Sequence, residues 1–349
     1  MDDPAVQALF LPFLDGTLAA PAKLLWLRAR NGQGLQQFRS LFPASAIVAE
    51  QGFRPFADAL PVSGIEISAS AGGRYDAVLI LPPRQRDEAR ALLARALDQV
   101  TAGGLVVASV ANNEGARAIE GDLVQLAGAV TTLSKHKCRV FWLRADATRI
   151  DAALAQQWSD FDAPRAIADG RFFSRPGLFA WDRIDTASAL LAAHLPADLA
   201  GVGADLGAGY GYLADEVLRR CPQVGALDLY EAEARALALA ERNLAATAAA
   251  RATPAILNYH WHDVVRGLPR RYDFIVTNPP FHQGRADQPE LGRGFIRAAA
   301  QALAPNGRLL LVANRHLAYE QELQRLFTQT RVLADAQGFK VIQAQGTRA

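Results

Sequence analysis

Four consecutive residues, Asn278-Pro279-Pro280-Phe281, have the types and the order needed to act on a planar amino group. Such an amine is a poor nucleophile because its lone pair is delocalised into the attached ring. The Asn278 side-chain oxygen and the Pro279 carbonyl can accept its two hydrogens, which turns the nitrogen toward a methyl sulfonium and favours the charge of the transition state. The prolines fix the loop and leave carbonyls free, and Phe281 can stack on the ring. The motif predicts methylation of a planar nitrogen; the alternative is a tight turn that merely ends a strand.

A glycine-rich turn lies upstream of this motif. Asp205 ends a short strand, and Gly207, Gly209, Tyr210 and Gly211 follow it before a helix. Glycine lets a backbone approach a ligand closely, so a strand, a glycine loop and a helix in this order predict a cofactor cradle. The spacing is not that of a dinucleotide site. An acid at the end of the strand would also repel a pyrophosphate, whereas it suits a cofactor with a cationic amino-acid group.

Two further carboxylates follow the cradle in the order that a nucleoside cofactor requires. Glu231 ends the second strand, where a carboxylate can accept hydrogen bonds from both ribose hydroxyls. Asp228, inside that strand, is the competing candidate. Asp263 follows a third predicted strand and can accept a bond from an adenine amino group, although a solvated loop aspartate is the alternative. Together with the cradle these residues predict S-adenosylmethionine as the cofactor.

An internal repeat relates the two halves of the chain. Residues 74–84 and 271–281 share Arg-Tyr-Asp, a short apolar run and Pro-Pro. An alanine-rich helical stretch, a glycine turn and a β-rich run follow each copy. Apolar strands that alternate with amphipathic helices predict an α/β fold, here as two tandem Rossmann-like domains. We place the boundary near Asp160, with residues 1–160 in the first domain and 161–349 in the second, catalytic one.

The first copy lacks the residues that would do the chemistry. Leu81 stands where the second copy has Asn278, and Arg84 stands where it has Phe281. Aligned by the repeat, the remaining pairs are Arg28 with Asp205, Arg30 with Gly207, and Glu50 with Glu231. An arginine at the strand end would repel a sulfonium, so we expect a degenerate copy that acts as a scaffold or contacts RNA. The basic run Ser134–Arg139 can contact phosphates, although a charge run is more often a solvated face.

Composition limits the class of protein. The 349 residues are 50% hydrophobic and 21% charged with a formal net charge of +2, which is typical of a packed domain and neither demands nor forbids nucleic acid. Cys138 and Cys221 lie far apart without metal-like spacing, so we expect no disulfide and no metal site. The sequence shows neither a secretory leader nor an apolar run of about 20 residues, so we expect a cytoplasmic protein without membrane contact.

The second half resembles the class I methyltransferases of the small-domain superfamily, which includes the ribosomal RNA guanine-N2 methyltransferases. The resemblance rests on residues 278–284, residues 312–317, residues 339–344 and the tandem plan of a degenerate and an active copy. It implies that the four-residue motif binds the target amine and that the glycine loop binds S-adenosylmethionine, with Asn278 bordering both. It also implies a guanine of small-subunit (16S) rRNA as the target, with ribosomal RNA as the partner of a monomeric enzyme.

Other functions fit parts of the same pattern. A sister group of enzymes acts on 23S rRNA, and the motif can serve adenine or a protein glutamine equally well. A glutamine enzyme would more often carry Tyr at position 281 and would lack the duplicated half. A non-catalytic RNA-binding assembly factor is the alternative from another class, and the intact Asn278 and glycine loop argue against it.

Overall fold

The computed structural model describes residues 3–60, 65–68, 70–280, 282–283, 286–287, 289–317 and 319–348. Over these residues the chain divides into two compact units. The first unit runs to Pro164 and includes Arg175–Gly177, and the second comprises Arg165–Ser174 and continues from Leu178. The hairpin Arg165–Ser174 therefore belongs with the second unit. The domain boundary expected near Asp160 stays a prediction.

The first unit alternates strands and helices along most of its length. Its strands are β1 (Lys23–Leu27), β2 (Ala46–Glu50), β3 (Ile65–Ser68), β4 (Tyr75–Ile80), β5 (Val100–Ala111), β6 (Thr131–Lys135) and β7 (Cys138–Arg144). Its helices are α1 (Pro4–Leu14), α2 (Gln33–Leu41), α3 (Arg54–Ala59), α4 (Arg86–Gln99), α5 (Ala116–Ala127) and α6 (Ala152–Ser159).

The second unit begins with a short hairpin and then follows the same alternation. Its strands are β8 (Arg165–Ile167), β9 (Phe172–Ser174), β10 (Ala200–Leu206), β11 (Gln223–Glu231), β12 (Ile256–Trp261), β13 (Tyr272–Thr277), β14 (His282–Gln283), β15 (Ala286–Asp287), β16 (Leu303–Asn314), β17 (Phe327–Ala336) and β18 (Phe339–Thr347). Its helices are α7 (Thr186–Ala193), α8 (Tyr212–Arg220), α9 (Ala234–Ala249), α10 (Pro289–Ala302) and α11 (Glu320–Leu326).

Both units contain a seven-stranded sheet with the same strand order. The first sheet runs β3-β2-β1-β4-β5-β7-β6 and the second runs β12-β11-β10-β13-β16-β18-β17. The first five strands of each order run parallel, and the sixth, β7 or β18, pairs antiparallel with both of its neighbours. This confirms the predicted α/β fold of two tandem Rossmann-like domains. In such sheets ligands bind beyond the carboxyl ends of the strands where the order reverses, which in the second unit is between β10 and β13.

The Arg-Tyr-Asp frame of the repeat has a structural role in both units. Its arginine donates to a carbonyl of the neighbouring strand on one side in the sheet, and its aspartate accepts a backbone amide from the neighbouring strand on the other side. The bonds are Arg74 Nη1 to Val100 O (3.3 Å), Arg271 Nη1 to Leu303 O (2.8 Å), Lys23 N to Asp76 Oδ2 (2.8 Å) and Val202 N to Asp273 Oδ2 (2.8 Å). The frame thus joins adjacent strands, and this structural role explains its presence in both units without any catalytic function.

The strand register corrects the alignment of the two glycine-loop regions. The register pairs that define it are Leu27 with Ile80 in the first sheet and Leu206 with Thr277 in the second. Trp26 therefore corresponds to Asp205, and Arg28 corresponds to Gly207, so the alignment of Arg28 with Asp205 and of Arg30 with Gly207 is wrong. Arg28 has a φ of 59° and Gly207 a φ of 73°. Both units make the same left-handed bend, which the sequence did not reveal because the first unit makes it without glycine.

Each sheet is covered on both faces, as alternating side chains of a strand require. On β13, Phe274 and Val276 lie in one buried cluster and Ile275 lies in another. Cys138 and Cys221 are buried free thiols, and burial raises the pKa of Cys138 to about 11. Within the described ranges, no helix is long and apolar enough to cross a bilayer.

Candidate functional site

The glycine loop lies at the carboxyl end of β10, where the strand order reverses. Gly207, Gly209 and Gly211 all have positive φ, at 73°, 55° and 93°. Gly211 precedes α8, and a Cβ there would come within 3.2 Å of the Cβ of Ala240. A Cβ on Gly209 would meet nothing within 4 Å. The loop is therefore held tightly against α9 at its end and is open at its middle, as a ligand cradle must be.

Asp205 is the most perturbed acid of the site. Its side chain is fully buried, and neither carboxylate oxygen accepts a hydrogen bond of normal geometry from the described residues. Burial raises the pKa of Asp205 to about 8, helped by the charge of Glu231 and opposed by the amide of Ala214. A buried carboxylate without a donor is costly, so this one suits a ligand that brings its own donor. The cationic amino group of the predicted cofactor has that chemistry.

Glu231 lies at the carboxyl end of β11, beside the loop. Its Oε2 accepts the Gly209 amide at 2.8 Å and its Oε1 accepts the Glu233 amide at 2.8 Å. Burial raises the pKa of Glu231, and these two backbone bonds oppose the rise. Glu231 therefore fixes the middle of the glycine loop, and its carboxylate can accept further hydrogen bonds, as the predicted ribose contact requires.

Asp228, the competing acid on β11, is fully engaged elsewhere. It is buried and accepts bonds from Arg270 Nη2 (2.7 Å), Asn258 Nδ2 (2.8 Å) and Tyr272 Oη (2.7 Å). Burial alone would raise the pKa of Asp228, but the bonds from Asn258, Tyr272 and Arg270 outweigh it and lower the pKa. Asp228 is an internal anchor of the sheet, which leaves Glu231 as the acid available to a ligand.

Asp263 follows β12 and is half-buried. Its carboxylate accepts the Val265 amide at 3.2 Å and begins the 3-10 turn Val264–Arg266. The bond to the Val265 amide therefore gives a structural reason for an aspartate at this position, in addition to the predicted contact with adenine. One carboxylate oxygen can serve the turn while the other stays available.

Asn278 follows β13, and its amide group is held by two side chains. Its Nδ2 donates to Asp185 Oδ2 at 3.0 Å and to Ser188 Oγ at 2.9 Å. The end of β13 is fixed to β10 by the Thr277 hydroxyl, which donates to the Leu206 carbonyl at 2.7 Å. Asn278 thus lies beside the strand that carries Asp205.

The rest of the predicted motif is only partly described. Pro279 is buried and Pro280 is half-buried directly after Asn278. Phe281, predicted to stack on the target ring, lies outside the described residues. Asp205, the glycine loop, Glu231 and Asn278 meet at the carboxyl ends of β10, β11 and β13, whereas Asp263 follows β12, the next strand along the sheet.

Tyr210 and Asn243 hold the glycine loop, and the role of Asn243 was missed in the sequence. Asn243 Nδ2 donates to the carbonyls of Tyr210 (2.8 Å) and Phe173 (2.9 Å), and its Oδ1 accepts the Phe173 amide (2.8 Å). The Tyr210 hydroxyl donates to the Arg183 carbonyl at 3.1 Å. Asn243 therefore joins the loop to the hairpin of β8 and β9. Nothing in its alanine-rich helix distinguishes it in the sequence.

Asp185 and Ser188 were also missed. They stand three residues apart at the start of α7, where the Asp185 carboxylate accepts the Ser188 amide at 2.8 Å as the helix N-cap. An aspartate followed by a helical run predicts such a cap. The contact with Asn278 joins residues 90 or more positions apart and has no local signal.

The corresponding place in the first unit is closed by its own side chains. By strand register, the residue of the first unit that corresponds to Glu231 is Gln51, not Glu50. Gln51 is buried, accepts the Phe53 amide at 2.8 Å and donates to the Ala29 carbonyl at 2.6 Å. A neutral amide has replaced the acid and bonds inward, which agrees with a degenerate copy.

Arg28, which replaces Gly207, also bonds inside the first unit. Its Nη1 lies 2.9 Å from the buried Oε1 of Glu88, near the start of α4. No cluster of His, Cys, Asp or Glu in the described part of either unit is arranged to hold a metal ion.

Comparison with known proteins identifies related methyltransferases. A family model described as the methyltransferase small domain matches residues 169–343. The ribosomal RNA small subunit methyltransferase C of Pseudomonas aeruginosa is 33% identical over 289 residues, which cover 81% of this chain and 82% of that protein. The protein of the same name from Pasteurella multocida is 27% identical over 310 residues, covering 89% and 91%. A solved structure of the T. thermophilus 16S rRNA N2 methyltransferase in complex with AdoMet and guanosine has a TM-score of 0.80 at 24% identity. The match covers 99% of this chain and 92% of that chain, so the two proteins share a fold.

Proposed function

The chain belongs to the ribosomal RNA small subunit methyltransferase C family, and we propose that it transfers a methyl group from S-adenosylmethionine to the exocyclic N2 of a guanine in 16S rRNA. Membership confirms the family that the sequence motifs predicted. The observation that carries the proposal is the fixed amide of Asn278. Its Nδ2 is already bound to Asp185 and Ser188, so its oxygen is the group left for a substrate that donates hydrogens.

The cofactor residues are assigned from their chemistry and position. S-adenosylmethionine supplies an electrophilic methyl group on a cationic sulfur. Asp205 accepts hydrogen bonds from the amino group of its methionine part, and Glu231 accepts hydrogen bonds from the ribose hydroxyls. Asp263 accepts from the adenine amino group. The backbone of the loop lines the methionine part; its residues are Gly207, Gly209, Tyr210 and Gly211.

The substrate residues act by orientation more than by proton transfer. The Asn278 oxygen and the Pro279 carbonyl accept the two hydrogens of N2, while Pro280 holds the loop and Phe281 stacks on the guanine. The nitrogen lone pair forms the bond to carbon as the carbon–sulfur bond breaks, and the methylated nitrogen loses one proton to solvent. No strong base is needed, because that proton is acidic. Orientation and fixed acceptors of this type contribute several kcal/mol.

The two copies have different functions. Residues 161–349 carry catalysis, and residues 1–160 are a scaffold or an RNA contact, as the closed site around Gln51 and Arg28 supports. The enzyme works as a monomer on RNA of the small ribosomal subunit. We place it in the cytoplasm, where ribosomal RNA is assembled and where buried cysteines such as Cys138 stay reduced.

The test is transfer of labelled methyl from S-adenosylmethionine to unmodified 16S rRNA, small subunits, 23S rRNA and large subunits, followed by nucleoside analysis. N2-methylguanosine in 16S rRNA or in small subunits is the expected product, and the two samples show whether assembled protein is required. Label confined to 23S rRNA, to adenine or to a protein glutamine would replace the proposed substrate with that one. Cofactor binding without transfer to any of them would leave the chain as a binding factor.

A further inference from the structure

We propose that Asp185 and Ser188 are positioning residues that hold the Asn278 carboxamide in one orientation, with its oxygen toward the substrate amine. The proposal rests on the proposed function, in which that oxygen accepts a hydrogen of the target nitrogen. It adds two side chains, from the N-cap and the first turn of α7, to a site otherwise built from residues at or after the carboxyl ends of β10, β11, β12 and β13.

The chemistry of the partners fixes the orientation. A carboxylate only accepts hydrogen bonds, so Asp185 Oδ2, at 3.0 Å, must face the NH2 end of the Asn278 amide. Ser188 Oγ lies 2.9 Å from the same nitrogen and takes its second hydrogen. The amide oxygen accepts no hydrogen bond from the described part of the chain. If the amide turned by 180°, its NH2 group would face a substrate amine, and two donors would oppose each other.

Both partners are themselves held in place. Asp185 Oδ2 also accepts the Ser188 backbone amide at 2.8 Å, so one oxygen caps α7 and binds Asn278. Ser188 is 8% exposed. Ala187 and Leu191 of α7 lie in the same buried cluster as Val276 of β13, two residues before Asn278. The helix and the strand therefore carry the three side chains as one packed unit, which is what a preorganised site requires.

The cap and the positioning contact can be separated by substitution. Serine is a good N-cap, so we expect Asp185→Ser to keep a bond to the Ser188 amide, whereas its single hydroxyl, one bond closer to the backbone than Oδ2, should no longer hold Asn278. Asp185→Asn keeps an oxygen that can accept from both groups. Asp151→Ser is the matched control, because Asp151 caps α6 of the first unit through the Leu154 amide at 2.9 Å. Ser188→Ala removes one bond and leaves the helix cap intact.

The first measurement is steady-state methylation of unmodified 16S rRNA or small subunits by each full-length variant. Orientation errors of this kind cost up to about a hundredfold, so we expect kcat to fall about thirtyfold in Asp185→Ser and about fivefold in Ser188→Ala. Cofactor affinity should stay within about twofold, and Asp185→Asn and Asp151→Ser should keep kcat within about threefold of wild type. Asp185→Ser with kcat within threefold of wild type, or Asp185→Asn as impaired as Asp185→Ser, would overturn the proposal.

A second readout does not depend on turnover. In 15N NMR spectra of the cofactor complex, the two side-chain amide protons of Asn278, assigned with Asn278→Ala, should exchange slowly with solvent and should become fast in Asp185→Ser. Fast exchange in wild type would refute the positioning role. If wild type methylates none of the RNAs, the proposed function fails, and slow exchange that depends on Asp185 would still establish the positioning contact.

Discussion

Binding of the cofactor should release a proton from Asp205. The pKa of this carboxyl is about 8, against an ordinary value of 3.8, because it is buried and lies near Glu231, and the Ala214 amide opposes the rise only in part. Below pH 8 the free protein therefore keeps Asp205 protonated, whereas a cationic amino group needs the carboxylate. By linkage, the Kd should weaken about tenfold for each pH unit below the pKa of Asp205. The same raised pKa means that the ligand-free protein loses stability as pH rises from the ordinary pKa of 3.8 to about 8, with no further loss from this group above that range.

The assay is isothermal titration with S-adenosylhomocysteine, a stable product that carries the same amino group, between pH 6 and 8.5. Repeating each titration in buffers of different ionisation enthalpy counts the protons released. Asp205→Asn keeps the shape of the side chain but cannot titrate, so its Kd should be weaker and nearly independent of pH. A wild-type Kd that is flat between pH 6 and 8 would refute the argument, as would the same slope in Asp205→Asn, since Glu231 would then be the titrating group.

Three other predictions follow from the site and its supports. Asn278→Ala should lower kcat by about a hundredfold or more while the cofactor Kd, measured by titration, stays within about twofold; retained turnover would remove Asn278 from the mechanism. Arg270→Ala should lower the free energy of unfolding, measured with urea, by roughly 2 kcal/mol, because Asp228 loses a charged donor but keeps Asn258 and Tyr272; a change below about 0.5 kcal/mol would contradict that role. Gly211→Ala should weaken cofactor binding about tenfold or more, whereas Gly16→Ala, with a similar φ of 81° and open space, should not; equal affinity in both variants would refute the role of the contact with Ala240.

Most of the fold was predictable because the two halves of the chain share one sequence pattern. The Arg-Tyr-Asp frame, the apolar runs and the Pro-Pro turns mark the ends of β4 and β13, and both sheets follow from them. The alignment failed where a positive φ is made by Arg28 instead of glycine, since sequence comparison equates left-handed bends with glycine. The register of the strands, which is a long-range property, was needed to match Trp26 with Asp205.

The site was predictable to the extent that its residues follow strands. Asp205, Glu231 and Asn278 each lie at or just after a strand end, and parallel strands bring such ends together at one edge. Asp185, Ser188 and Asn243 come from helices or helix caps, and they act through contacts between distant segments. The choice of Glu231 over Asp228 is supported only by the structure, which shows that Arg270, Asn258 and Tyr272 already donate hydrogen bonds to Asp228.

Asn243 couples the order of the glycine loop to the order of the β8–β9 hairpin. Its amide binds the Tyr210 carbonyl on one side and both backbone groups of Phe173 on the other. Coupling between two events is reciprocal, so cofactor binding should stabilise the ordered hairpin by the same free energy by which the ordered hairpin strengthens cofactor binding. Hydrogen exchange at the Phe173 amide therefore becomes a remote reporter of cofactor occupancy. Conversely, any partner that pulls the hairpin away would lower the affinity of the loop and promote release of the spent cofactor.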